Sequence, residues 1–261
     1  MLSKCGVDTI VKGIDISWTT WGKMREEKLV LGDISYLKSE NGKGFERIFS
    51  IDFQNNPELQ IQEMITAIKA KILPDSMLIT PKTKPADLAE ILSQKGFIIN
   101  DSDPCMMMYL GDYKNINSEC ADFTISNVVG KESLMEWLKI VNVALFGGEL
   151  VTLEQFVDIL KLNNTHFYLG LINGIPVTAC MTIIDGDTSV LEMVATLEKY
   201  RRKGFASTVI DKALTDLREK GVKTISLRAE ADGVGVYKRL GFKEYFKRVV
   251  ASYDWTQNCP E

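Results

Sequence analysis

Three apolar runs in succession, THFYLGLI, PVTACMTII and SVLEMVAT, set the strongest limit on what this chain can fold into. Each has strand length and is rich in β-branched and aromatic residues. The joints are Asn173-Gly174 and Asp185-Gly186-Asp187, so the three predict an antiparallel meander. After the third run the period changes. A basic, glycine-containing turn leads into ASTVIDKALTDLREK, whose apolar residues recur at helical spacing until Gly221. KTISLRAE is a further strand, GVGVYKRL a short helix stopped by Gly241, and FKEYFKRVVASYDW the segment expected to close the sheet. Upstream, DFTISNVV alternates as a strand and KESLMEWLKIVNVALF is helical until Gly147-Gly148. Thr152 caps a helix over TLEQFVDILKL.

The first 112 residues read as helix, two strands, helix, strand, helix, strand, a mixed order that implies an α/β or α+β sheet. Asn41-Gly42 predicts a hairpin between LGDISYLKS and FERIFSIDF. One helix is expected over 57–71, with Pro57 just inside its start, and another over 83–94, with Pro85 in its first turn and Gly96 as its stop. CMMMYL follows as a buried strand of this half. The polar stretch KNINSEC, at 114–120, reads as a linker, which divides the chain into domains over 1–113 and 120–257.

Composition narrows the function classes. A hydrophobic fraction of 45% with 25% charged residues describes a globular chain, and 31 Lys+Arg against 35 Asp+Glu leave a net charge of −4. No broad positive field exists to attract a polyanion, so nucleic acid is not an expected partner. No apolar run approaches the ~18 residues of a membrane span, and Asp8, Lys12 and Asp15 interrupt the N-terminal stretch, so no membrane association and a cytoplasmic location are expected. Five cysteines, none closer than 15 positions to the next, fit neither a disulfide framework nor a metal knuckle. The single histidine, His166, cannot build a multi-histidine metal site, and no metal is expected.

The chemistry concentrates in VATLEKYRRKGFAS, where a strand ends, the chain turns and a helix begins. A helix N-terminus carries unpaired N–H groups and partial positive charge, and glycine there lets a pyrophosphate approach the backbone. Gly204 and Ala206 keep side-chain bulk away, while Lys199, Arg201, Arg202 and Lys203 add charge. A phosphate-bearing ligand is the direct inference; an ordinary solvated basic turn is the alternative.

The order Arg201-x-x-Gly204-x-Ala206 between strand and helix resembles the acyl-CoA loop of the GNAT superfamily of N-acetyltransferases. Tyr237-Lys238-Arg239-Leu240-Gly241-Phe242, after KTISLRAE, is similar to the superfamily's Y-x-x-L-G-F. The resemblance covers about 122–255. It departs from the family at Glu230, seven residues before the tyrosine, where the superfamily often carries Asn. It implies acetyl-CoA as cosubstrate, with pantetheine pairing along Met193, Val194, Ala195 and Thr196, and an N–H of Val194 or Ala195 polarising the thioester. The resemblance also implies that Arg201, Arg202, Lys203, Gly204, Phe205, Ala206 and Ser207 cradle the pyrophosphate and that Tyr237 protonates the thiolate. Glu192 and Glu230 are the candidate bases, with a structural carboxylate the alternative for each. Glu192 lies two residues before Val194, so strict alternation would put both side chains on one face.

ILSQKGFIIN repeats the helix, Gly-Phe, strand pattern of VYKRLGFKEY at an offset of 145, from Gly96 to Gly241. At that offset Tyr237 corresponds to Leu92, and DFQNNPE, in the place of the phosphate turn, has neither glycine nor arginine. TPKTKPADLAEILSQKGF looks like the N-terminal half of tandem GNAT proteins, so the expectation is two tandem GNAT-like domains with a degenerate first half. An unrelated α/β domain, or one continuous domain, is the alternative. The expected function is acetyl transfer from acetyl-CoA to a primary amine of a small molecule or peptide. A GNAT fold that senses acyl-CoA or binds a partner without turnover is the rival reading. Neither the amine nor the oligomeric state is encoded in these motifs.

Overall fold

A computed structural model describes residues 4–24, 27–39, 45–100, 103–116 and 122–256. In chain order its elements are α1 (Lys4–Trp21), β1 (Glu27–Leu31), β2 (Ile34–Lys38), β3 (Arg47–Ile51), α2 (Pro57–Lys69), β4 (Ser76–Ile79), α3 (Leu88–Gln94), β5 (Phe97–Asn100) and β6 (Pro104–Tyr109). They continue as β7 (Phe123–Asn127), α4 (Lys131–Leu145), α5 (Leu153–Leu160), β8 (Thr165–Ile172), β9 (Ile175–Asp185), β10 (Thr188–Thr196), α6 (Phe205–Glu219), β11 (Thr224–Arg228), α7 (Val234–Leu240), β12 (Lys243–Lys247) and β13 (Val249–Tyr253). The strands make two mixed sheets, one ordered β1-β2-β3-β4-β13-β5 and the other β12-β6-β11-β10-β9-β8-β7.

The meander is present as β8, β9 and β10, antiparallel in sequence. Asn173 and Gly174 both take positive φ, 50° and 75°, the pair of left-handed residues that a two-residue hairpin requires. On one face of this sheet α6 buries Val209, Ile210, Ala213, Leu214 and Leu217 against Tyr168, Leu191, Ile225 and Leu227. Each such side chain contributes roughly 1.5–3 kcal/mol on leaving water. α4 is anchored on the sheet by the Trp137 indole, which donates to the Cys180 carbonyl at 3.1 Å. Thr152 accepts the Gln155 amide at 3.4 Å, the expected cap of α5.

The clearest departure from the sequence reading concerns the last strands. CMMMYL is a buried strand, but β6 lies between β12 and β11 rather than in the sheet of the first half. FKEYFKRVVASYDW does not close one sheet either. It breaks at Arg248 into β12, beside β6, and β13, which enters the other sheet between β4 and β5 with Ala251 opposite Met77 and Ile99. The compact units are therefore 1–105 with 245–261, and 106–244, so the chain passes between them at 105/106 and 244/245. Local apolarity marks these segments as interior strands; it does not specify which pair of neighbours each will bridge.

Smaller differences have local causes. α3 begins at Leu88, not Thr83, because Lys84 is drawn into extended pairing: its amide donates to the Ile51 carbonyl at 3.1 Å and its carbonyl accepts the Phe53 amide at 3.2 Å. Pro85 thus precedes the helix. α2 stops at Lys69, and β1 is an additional strand paired with β2. β2 and β3 pair antiparallel as the hairpin reading requires, whereas Asn41-Gly42 lies outside the described residues, as do 117–120 of the expected linker. Residues 113–116 are described, and there the Ile116 amide donates to Asp211 at 2.8 Å and Arg218 to Asn115 at 2.9 Å, so this stretch lies along α6.

The two sheets share a topology. Taken from the other edge, β5-β13-β4-β3-β2-β1 matches β12-β6-β11-β10-β9-β8, with β3 parallel to β4 as β10 is to β11. α2 and α6 make the crossovers, and α3 and α7 are each seven residues long and followed by a left-handed glycine, Gly96 or Gly241. This is the internal repeat expected from the paired Gly-Phe motifs.

Placement of β13 in the first unit has a measurable consequence. Ala251 is fully buried there, so Ala251→Asp should lower stability by on the order of 3 kcal/mol, read as a drop in the urea midpoint. An unchanged midpoint would contradict a central β13.

Candidate active site

β10 and β11 run parallel for only three residue pairs, Thr188 with Thr224, Ser189 with Ile225 and Val190 with Ser226. Beyond Val190 they separate, although β10 continues to Thr196 and β11 to Arg228. The cause is a bulge. Pairing with β9 moves from Glu192–Met181 to Ala195–Ala179, three steps on β10 against two on β9, and Met193 sits at φ 53°. A bulge bends and twists its strand, and here it exposes a length of backbone edge on β10. Thr178, fully buried on β9, holds the bend: its hydroxyl donates to the Ala195 carbonyl at 2.8 Å and lies 2.8 Å from the Thr196 hydroxyl.

The bulge corrects one expectation. Strict alternation put Glu192 and Val194 on the same face, but Val194 packs with Leu191 in the α6-facing core. Since successive strand residues point oppositely, Glu192 leaves Leu191's face, and the extra residue returns Val194 to it.

From Thr196 the chain makes one turn of 3₁₀ helix, Glu198–Tyr200, and enters the basic turn. Arg202 takes φ 62° and Gly204 φ 86°. A left-handed non-glycine residue costs roughly 1–2 kcal/mol, so Arg202 and Met193 are strained positions at the two ends of this segment. A Cβ added at Gly204 would meet nothing within 4 Å, so the turn is open in front of α6. No side chain caps α6 and no acidic residue stands in its first turn, which leaves the amides of Phe205, Ala206 and Ser207 as helix-terminal donors. The Lys199 and Lys203 ammonium groups lie 4.9 Å and 5.6 Å from the Tyr200 ring centroid, and Phe205 is stacked on Phe123 at 4.8 Å. Arg201 differs from its neighbours: the resemblance implied that it cradles the pyrophosphate, whereas its guanidinium is engaged with the Thr196 and Ala144 carbonyls.

Tyr237 projects from α7 into the same core as Cys180, Leu191 and Val194. Gly233 makes room for it, since a Cβ there would stand 3.0 Å from Tyr237 Cε2. Burial pushes the phenol well above the ordinary tyrosine range; Arg228 pulls it down, while Cys180, Glu230 and Glu192 push it further up. The two carboxylates proposed from sequence therefore lie within electrostatic reach of the phenol. Glu230 is exposed and 3.4 Å from Arg228, and its carbonyl accepts the Gly233 amide at 2.8 Å. His166 lies elsewhere, near Asp216 and Lys220 at the far end of α6, and burial lowers its pKa.

The corresponding place in the first unit is built differently. Lys84 fills the position beside the end of β3, bridging Asp52 and bonding Ile51 and Phe53. α2 has Pro57 at its start and Glu58 in its first turn, which removes one amide and adds negative charge. Sequence reasoning saw the missing glycine and arginine but not this self-pairing, which joins segments thirty residues apart. It also missed Thr178, whose only sequence signal is a threonine in an apolar strand.

The phenol's environment carries a pH consequence. Unfolded tyrosine ionises near ~10 and folded Tyr237 higher, so above pH 10 the folded state holds a proton that the unfolded chain has lost. The stability contributed by Tyr237 is thus intact below pH 10 and falls as pH rises past it. At pH 11 the difference is about 1.4 kcal/mol for one phenol. Urea midpoints should fall from pH 9 to pH 11 more steeply in the wild type than in Tyr237→Phe; equal slopes would contradict a proton held there.

The profile of the Acetyltransferase (GNAT) family matches residues 132–242, which span β8 to β11 with α4 to α7. An uncharacterized N-acetyltransferase of Chlorobaculum tepidum is 28% identical over 120 residues, 44% of this chain and 76% of that protein. Among solved structures, a GCN5-related N-acetyltransferase from Kribbella flavida superposes with a TM-score of 0.72 at 20% identity, covering 92% of this chain and 95% of that one. A tandem GNAT protein from the clavulanic acid biosynthesis pathway gives 0.61 at 10% identity, covering 84% and 77%. At such identities the structures speak for the fold, and the family profile for the second unit. Among the described residues no helix is long and apolar enough to cross a membrane. The separated parallel strands, the bulged edge and the uncapped glycine turn thus stand in the stretch of the second unit that matches the Acetyltransferase (GNAT) family profile.

Proposed function

We propose that the second unit moves an acetyl group from acetyl-CoA to a primary amine of a small molecule or peptide, and that the first unit is a copy that has lost cofactor binding. The observation that carries this reading is the separation of β10 from β11 after Val190, running directly into the uncapped N-terminus of α6. A pantetheine arm is an extended chain with amides, which suits a free strand edge. A pyrophosphate suits a glycine-initiated helix end with Arg202 and Lys203 beside it.

Each step then has a residue. An amide of Val194 or Ala195, on the bulged edge, donates to the thioester oxygen and to the oxyanion that forms when the amine attacks. The neutral phenol of Tyr237, kept protonated by burial, gives its proton to the departing thiolate. Glu192 or Glu230 takes the proton lost by the amine through water, and both carboxylates favour a cationic acceptor. The first unit lacks these means: Lys84 closes its strand edge, Pro57 and Glu58 disfavour an anion, and buried Leu92 stands where Tyr237 does in the second.

Acetyl-CoA at ~100 times its dissociation constant should stabilise the protein by roughly 2.7 kcal/mol in thermal unfolding, with one site per chain, and Gly204→Glu should remove that shift. Thiol release against a panel of amines tests turnover. Tyr237→Phe should leave acetyl-CoA affinity within a few-fold and lower kcat by on the order of 10²- to 10⁴-fold. Binding without turnover on any amine would favour the sensor reading, which the unusual Glu230 suggests, and unaltered turnover in Tyr237→Phe would refute the general acid.

A further inference from the structure

Arg201 joins two elements through one side chain. Its Nε donates to the carbonyl of Thr196, the last residue of β10, at 3.1 Å, and its Nη2 donates to the carbonyl of Ala144 at 3.3 Å. Ala144 lies in the last turn of α4, where carbonyls have no amide four residues on and the helix dipole is negative. A planar guanidinium serves both acceptors together; the single ammonium of lysine does not reproduce that fork.

The same last turn of α4 organises the segment after it. The Asn142 side-chain oxygen accepts the amides of Leu150 at 3.0 Å and Val151 at 3.1 Å, its Nδ2 donates to the Val151 carbonyl at 2.8 Å, and its backbone carbonyl accepts the Gly148 amide at 3.1 Å. One amide side chain therefore folds the connection between α4 and α5 onto the end of α4. One guanidinium then fastens that end to the residue preceding the strained Arg202.

We infer that Arg201 is a positioning residue that couples the α6 turn to the α4–α5 connection, so that a pyrophosphate held by the first orders the second. The inference rests on the proposal that the α6 turn takes the pyrophosphate of CoA. Its physical basis is serial restraint. A ligand on the backbone of 202–207 limits the motion of Arg201, Arg201 holds Ala144, and Asn142, two residues earlier on the same helical turn, holds Gly148, Leu150 and Val151. Binding free energies are reciprocal, so loosening the α4–α5 connection must weaken CoA by the factor with which CoA tightens it.

Hydrogen exchange of the full chain with free CoA as the probe tests this. CoA should slow exchange of the Gly148, Leu150 and Val151 amides about 5-fold or more in the wild type, and that slowing should vanish in Arg201→Lys while the protein stays folded and still binds CoA. Asn142→Asp, which keeps the acceptor oxygen but loses the Nδ2 donor, should lower CoA affinity several-fold in the Arg201 protein and not in Arg201→Lys. That double-mutant comparison separates coupling from a general loss of stability. Undiminished protection in Arg201→Lys, or additive effects of the two substitutions, would overturn the coupling. CoA binding to the wild type with no change at these amides would do the same and leave the α6 turn as a CoA site, whereas no CoA binding at all would overturn the proposed function along with it.

Discussion

Everything distinctive about the second unit depends on a parallel ladder that stops early. β10 and β11 exchange hydrogen bonds over three residue pairs, then one extra residue in β10 turns its edge away. An interior strand would normally have both edges satisfied, so a length of free edge inside a sheet is a feature the surrounding structure must hold open. Thr178 does so from β9 by tying the Ala195 carbonyl and the Thr196 hydroxyl. The left-handed Met193 is the backbone cost of that geometry, and the sheet, closed by α4 on one side and α6 on the other, supplies enough burial to bear it.

The first unit shows the same architecture with the opening closed. Its parallel crossover, its short seven-residue helix and its left-handed glycine all have counterparts in the second unit. The difference lies in what accompanies the end of the strand before the crossover helix. There the chain's own Lys84 pairs with Ile51 and Phe53, so the edge satisfies its hydrogen bonds internally. A buried edge must be paired with something; in the first unit Lys84 pairs with it, and in the second the pairing of β10 with β11 ends at Val190. The two units share the strand order that makes the fold and differ in the residues beside this edge.

Charge follows the same economy of means. A chain of net charge −4 places Lys199, Arg201, Arg202 and Lys203 in one turn, yet only some of that charge faces solvent unengaged. Arg201 is held by two carbonyls and the lysines rest over Tyr200. The run thus combines an attractive field for an anion with internal bracing, which a count of basic residues does not separate.

Much of the element list was legible in the residues themselves. The meander, the Asn173-Gly174 hairpin, the Thr152 cap and the glycine stop of α7 all follow from period and turn chemistry, because those are decided within a few residues of where they are read. The glycine start and basic residues of the turn before α6 were equally local. Only the tertiary structure decided that β6 and β13 lie in the sheets they do, that Glu192 and Val194 part company at a bulge, that Lys84 rather than a ligand pairs with β3, and that Arg201 reaches Ala144. Each of these is a choice of partner across tens of residues. Apolarity states that a segment will be buried and periodicity states which face; neither carries the identity of the neighbour, which is settled by the competition among all edges for hydrogen bonds and all faces for cover.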